Sequence, residues 1–162
     1  MTLVESLAKT KEDAFTRMMR VAPLSPRDKL MWGPSRGALT LGQLLRHAHR
    51  AELNRSKLLN GEIAVADYYR LRHGDSTLEA TLGEVTDLNA ELDAMRAAHA
   101  YTMGTLQKLT DADLSKMVPW GKGEVTALAF LVLMIEHDAH HRGQVATYLR
   151  ILGVPNPKPY GA

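Results

Sequence analysis

Ala127-Leu128-Ala129-Phe130-Leu131-Val132-Leu133-Met134-Ile135 is an unbroken apolar run, and it passes directly into Glu136-His137-Asp138-Ala139-His140-His141-Arg142-Gly143-Gln144. Thr126 is placed to cap a helix start, and no Pro or Gly interrupts the segment before Gly143. The run is far shorter than the roughly 20 residues that cross a bilayer, so it predicts a buried helix and no membrane span. A helix apolar on every side belongs at the centre of a bundle, and Gly153 and Pro155 are placed to end it.

Working outward, the same helical spacing recurs three times. Thr40-Leu41-Gly42-Gln43 is a capping box, and Leu41, Leu44, Leu45, Ala48, Ala51 and Leu59 follow at helical intervals until Gly61 stops the segment. Thr2-Leu3-Val4-Glu5 is another, opening a helix to about Arg20 with Leu3, Leu7, Ala8, Ala14, Phe15, Met18 and Met19 as its apolar stripe. Ser76-Thr77-Leu78-Glu79 is a third, and Leu78, Leu82, Val85, Leu88, Leu92, Met95, Met103 and Leu106 predict one helix over 77–108. Residues 61–75 read as a connection with a short helical turn around Tyr68 and Tyr69. Asp111 to Val125, containing Pro119, Gly121 and Gly123, reads as a loop. No strand-like alternation of useful length is visible, so the expectation is an all-α protein with four principal helices in a single domain over 1–162.

Composition narrows the chemistry. The chain has 162 residues, 45% hydrophobic and 23% charged, which suits a globular domain with a substantial core. The net charge of +2, without a basic run interleaved with aromatics, predicts no nucleic-acid partner. With no cysteine, a thiolate site or disulfide is excluded, and any metal must take imidazole, carboxylate or water. Glu5 and Lys9 interrupt the N-terminal segment early, so a cytoplasmic protein without a leader is expected.

Five of the seven histidines fall in two stretches, Leu45-Arg46-His47-Ala48-His49 and Glu136 to Gln144. Residues four apart on a helix share a face, so His137 and His141 can aim two imidazoles at one point, while His140 points about 60° away. Random placement of seven histidines gives roughly 0.3 such pairs, so spacing alone leaves a polar helix face as the plain alternative. Continuity with the apolar run favours burial, and buried imidazoles need partners. His47 lies on the inward stripe between Leu44 and Ala51, either as a third ligand or as a core histidine bonded to a carbonyl. His49 is turned about 200° from it. His99 is the rival ligand, and His73, beside Gly74, reads as a loop residue. Glu52, Asp138 and Glu136 suit ordinary helix-surface salt links, with Glu52 and Asp138 also candidates to support a metal ligand or act as a base; Gln144 is placed to approach a bound ligand. Arg142 is expected to pair with a carboxylate, and Gly143 to mark a close helix contact.

These residues carry a resemblance. Thr40 to His47 with Glu52, His137-Asp138-Ala139-His140-His141-Arg142-Gly143-Gln144, and the ending Leu152-Gly153-Val154-Pro155 resemble the DinB/YfiT superfamily of metal-dependent enzymes over nearly the whole chain. The resemblance implies a four-helix bundle in up-down-down-up order, a homodimer, and a metal held by His47, His137 and His141. It also implies a stress- or damage-inducible context for some relatives.

An ion held by three neutral imidazoles with an open position lowers the pKa of bound water toward 7, or binds a substrate thiolate. The expectation is therefore a metal-dependent hydrolase or thiol-dependent transferase acting on a small molecule, a low-molecular-weight thiol being among the candidates. Zinc or nickel is the expected ion and iron an acceptable one, because an all-imidazole set does not choose among them. The alternatives are a non-enzymatic stress-response or binding module with a structural metal, and an interaction-only bundle without one.

Overall fold

The computed structural model describes residues 1–73, 77–155 and 158–161, with backbone alone for 71–73. Its long elements are α1 (Leu3–Met19), α2 (Leu41–Leu59), α5 (Leu88–Leu106) and α6 (Ala127–Ile151), with α3 (Val65–His73), α4 (Leu78–Leu82) and a hairpin, β1 (Met117–Trp120) and β2 (Gly123–Thr126), between them. The hydroxyls of Thr2 and Thr40 accept the Glu5 and Gln43 amides while those side chains reach back to the cap amides, so both capping boxes form. Thr126 caps α6 through the Ala129 amide. No helix among the described residues is long and apolar enough to cross a membrane.

The helix expected over 77–108 is two. Gly83 takes φ +67, which an L side chain resists, and Asp87 then restarts the chain as α5 by accepting the Asn89 and Ala90 amides. Side chains of α2 hold this break open. Gln43 Nε2 donates to the Glu79 and Gly83 carbonyls, and Arg46 Nη1 donates to those of Leu82 and Glu84. Gly42 allows the approach, since a Cβ there would stand 2.6 Å from Val85 Cβ. The cap expected at Ser76 lies outside the described residues; Thr77 caps α4 through the Ala80 amide.

Two other segments differ from expectation. Residues 61–75 hold the nine-residue α3 rather than one turn, with His73 at its end and not in a loop. It is anchored by buried Tyr68, whose ring meets Tyr69 and Trp120 at 5.3 Å between centroids. Within 111–125 the chain forms the antiparallel hairpin, Val118 opposite Val125 and Pro119 opposite Glu124, turning at Gly121 with φ +63. Four-residue strands are too short for an alternating pattern to register. The fold is therefore mostly helical rather than wholly so. Its α6 is also less central than expected: Phe130, Leu131 and Met134 are buried, but Val132 is 48% exposed. Gly143 is exposed, and a Cβ there would meet nothing.

Each of α1, α2, α5 and α6 packs on two of the others, α1 and α2 both lying against α5 and α6. The core they enclose is split. One apolar cluster gathers Met18, Leu44, Leu45, Leu92, Met95, Val145 and Leu149; the other gathers Leu7, Leu58, Tyr68, Leu106, Phe130 and Met134. On every long helix some polar residues fall between its contributions to the two clusters. They include Lys11 on α1, Glu52 and Arg55 on α2, His99 and Thr102 on α5, and His137 to Arg142 on α6. The molecule thus has two oily ends and a polar waist.

Candidate metal centre

α2 and α6 bring His47, His137 and His141 together, with one ring nitrogen of each lying within 4.8 Å of the others. His141 is 6% exposed and His47 7%. Ring centroids lie 4.2 Å apart for His137 and His141, 4.8 Å for His47 and His141, and 5.3 Å for His47 and His137. The Nε2 atoms of His137 and His141 face one another at 2.9 Å. Two such nitrogens hold either a shared proton or a common cation. Ligand nitrogens about 2.0–2.1 Å from zinc stand about 2.9–3.4 Å apart at right or tetrahedral angles, so this pair already has chelating separation. Two ligands of one ion stand at most about 4.1 Å apart, so with all three nitrogens within 4.8 Å of one another, at most a small inward shift of the His47 ring completes the set.

The donor set suits a divalent transition metal. Burial first, and then the neighbouring His47, push His141 down to about 3 against the opposing hydrogen bond to Gln144, so its imidazole is neutral. The second ring nitrogen is fixed too, since Nδ1 lies 2.7 Å from Gln144 Oε1. An amide oxygen only accepts, so Nδ1 carries the proton and Nε2 presents its lone pair to the cluster. Gln144 therefore orients His141 rather than reaching a ligand itself. Gln144→Leu should weaken zinc binding about 10–100-fold, read by competition against a chromogenic chelator, with the fold unchanged by circular dichroism.

The other histidines go elsewhere. His49 Nε2 contacts Glu91 Oε2 at 2.7 Å, next to the Arg46–Glu91 ion pair. His140 is exposed beside His141. His99 stacks on Phe15 at 3.9 Å and contacts Glu12 at 2.8 Å, so it is not the rival ligand.

Glu52 and Asp138 are not surface salt links. Both contact buried Lys11, at 2.6 and 2.5 Å, and His99 Nδ1 lies 3.4 Å from the same Glu52 oxygen. Burial alone would pull the Lys11 ammonium down, yet Asp138 and Glu52 outweigh it and raise the group above 10.5. Burial pushes Glu52 up, but His99 and Lys11 hold it below its ordinary value; for Asp138, burial prevails and the group is raised. A Glu52 oxygen already paired with an ammonium is a poor base. Lys11 escaped the sequence reading, although Val4, Leu7, Lys11, Ala14 and Met18 form the buried stripe of α1. Leu3, counted in that stripe, is exposed instead. Arg142 donates to the Tyr160 hydroxyl at 2.9 Å and meets no carboxylate among the described residues.

Beside His137 a pocket of about 300 Å³ opens between α2, the hairpin and α6, lined by Arg55, Trp120, Leu133, Glu136, His137 and His140.

The model of the DinB superfamily matches residues 9–145. A solved DinB-like protein of Bacillus subtilis shares 19% identity with a TM-score of 0.69, covering 91% of this chain and 92% of that one. A conserved protein of Enterococcus faecalis shares 19% identity with a TM-score of 0.73, covering 96% and 99%. At these identities the likeness concerns the fold. No curated protein matches the chain in sequence.

Proposed function

From the premise that this chain belongs to the DinB superfamily, we propose that it is a metal-dependent enzyme, a hydrolase or thiol-dependent transferase acting on a small molecule. The observation that carries this reading is the cluster itself: His47, His137 and His141 converge without a carboxylate among them, next to an open pocket. Zinc or nickel suits three neutral imidazoles, with iron also acceptable. When bound, such an ion supplies a water or thiol of lowered pKa. Around it this chain's residues bind and orient: Gln144 sets the His141 tautomer, while Trp120 and Leu133 wall the pocket.

The reading includes an up-down-down-up order of α1, α2, α5 and α6, in keeping with their mutual packing, and a homodimer in the cytoplasm. A second reading, a structural ion, draws support from the cluster's joining α2 to α6, which a cation would staple together.

Protein purified without chelator should contain stoichiometric metal. After cobalt(II) replacement, 2-mercaptoethanol should shift the visible spectrum by entering an open position, and the protein should then be screened for thiol transfer and hydrolysis. A spectrum indifferent to thiol leaves the structural ion; absence of stoichiometric metal sinks both readings.

A further inference from the structure

We propose that Arg55 anchors an oxyanionic group of the substrate, a carboxylate or a phosphate, so that the reactive end of the molecule lies at the three-histidine cluster. This rests on the enzymatic reading above and adds the substrate's charge to it.

Arg55 is 7% exposed, yet no carboxylate oxygen lies within 4.0 Å of it among the described residues. Burying a guanidinium without a counter-ion is costly, and neighbouring groups recover only part of that cost. Its Nε donates to the Tyr68 hydroxyl at 3.3 Å, and its Cζ lies 5.5 Å from the Trp120 ring centroid. Neither contact uses the two terminal nitrogens. These make no hydrogen bond to the described residues and are not sealed from solvent. They belong to the wall of the pocket that His137 also lines.

The placement follows from α2. Arg55 stands eight residues after His47, turned by about 80° from it, and helix side chains lean toward the N-terminus, so the guanidinium is carried back to the pocket wall it shares with His137. Tyr68 holds the head through Nε and Trp120 lies against it, leaving the paired terminal donors that match a carboxylate or phosphate bidentately. Glu136 lines the same pocket but forms no ion pair with Arg55, so the guanidinium is not neutralised from across the opening.

The test first uses protein stripped of metal, so that it does not depend on the proposed chemistry. Calorimetric titrations with succinate, inorganic phosphate and succinamide should show one of the anions binding roughly ten- to a hundredfold more tightly than the neutral amide. Which anion prevails separates carboxylate from phosphate. This comparison needs no variant. Arg55→Gln should erase the margin and Arg55→Lys keep part of it, with folding of both checked by circular dichroism. In zinc-loaded protein, 3-mercaptopropionate should outcompete 3-mercapto-1-propanol by a similar factor, and Arg55→Gln should remove that preference while zinc content stays the same. Succinamide binding as well as both anions overturns the proposal, as does an anion preference that survives in a folded Arg55→Gln protein. Loss of zinc binding with the anion preference intact would sink the metal reading alone.

Discussion

Lys11→Met is expected to destabilise the protein by about 3–5 kcal/mol in urea denaturation, because it leaves two buried carboxylates without their cation. Lys11, Glu52 and Asp138 sit between the two apolar clusters, and only the ammonium contacts both acids. Met matches the stem of Lys in length and polarity, so lost packing is a small part of the effect. The contrasting variant removes all three charges. Lys11→Met with Glu52→Leu and Asp138→Leu should recover most of the loss, since replacing a whole buried ion group with apolar residues is commonly near neutral. A Lys11→Met protein within about 1 kcal/mol of wild type would show that the waist does not depend on this cation.

The pH dependence has a distinctive sign. In the wild type, Lys11 lies above its ordinary 10.5, so its contribution is complete below that pH and fades as pH rises through the higher folded value. Glu52 lies below 4.5, so its contribution is complete above that pH and fades on acidification. Asp138 is raised, so its own contribution runs the opposite way, present below 3.8 and lost as pH rises through the folded value. In Lys11→Met both carboxyls lose their cation and favour the proton. Relative to wild type, the variant should therefore gain stability as pH falls from about 7 toward about 5. A loss over that interval would contradict the assignment.

The second large effect concerns the histidine cluster. Zinc at a hundred times its dissociation constant should stabilise the wild type by about 2.7 kcal/mol, raising Tm by roughly 5–11 °C for a domain of this size. His141→Ala should abolish that increment, because it removes the nitrogen 2.9 Å from His137 Nε2 and the ring that Gln144 orients. The readout is the difference between scans with and without zinc, so any effect of the mutation on the metal-free protein cancels. His140→Ala is the matched control: its ring is exposed and outside the cluster, and the increment should persist. Zinc stabilising His141→Ala as much as wild type would rule out the cluster as the binding site.

Local signals predicted much of this protein because their physics is local. Capping boxes at Thr2 and Thr40 act within one helical turn, so α1 and α2 began where the sequence placed them. His137 and His141 share a face through helix geometry alone. The partnership with His47 came from an inward stripe and from family likeness, and the folded chain brings that ring within reach. Packing decided what spacing could not. A periodic pattern runs straight through Gly83, and the chain breaks there because α2 side chains bind the freed carbonyls. Glu52 and Asp138 look like surface charges until Lys11 reaches them from another helix, and Arg55 looks like a surface arginine until Tyr68 and Trp120 enclose its head. A charged side chain in sequence carries no sign of whether its counter-ion, or the lack of one, arrives from a distant helix. That is a long-range electrostatic fact, and only the tertiary structure supplies it.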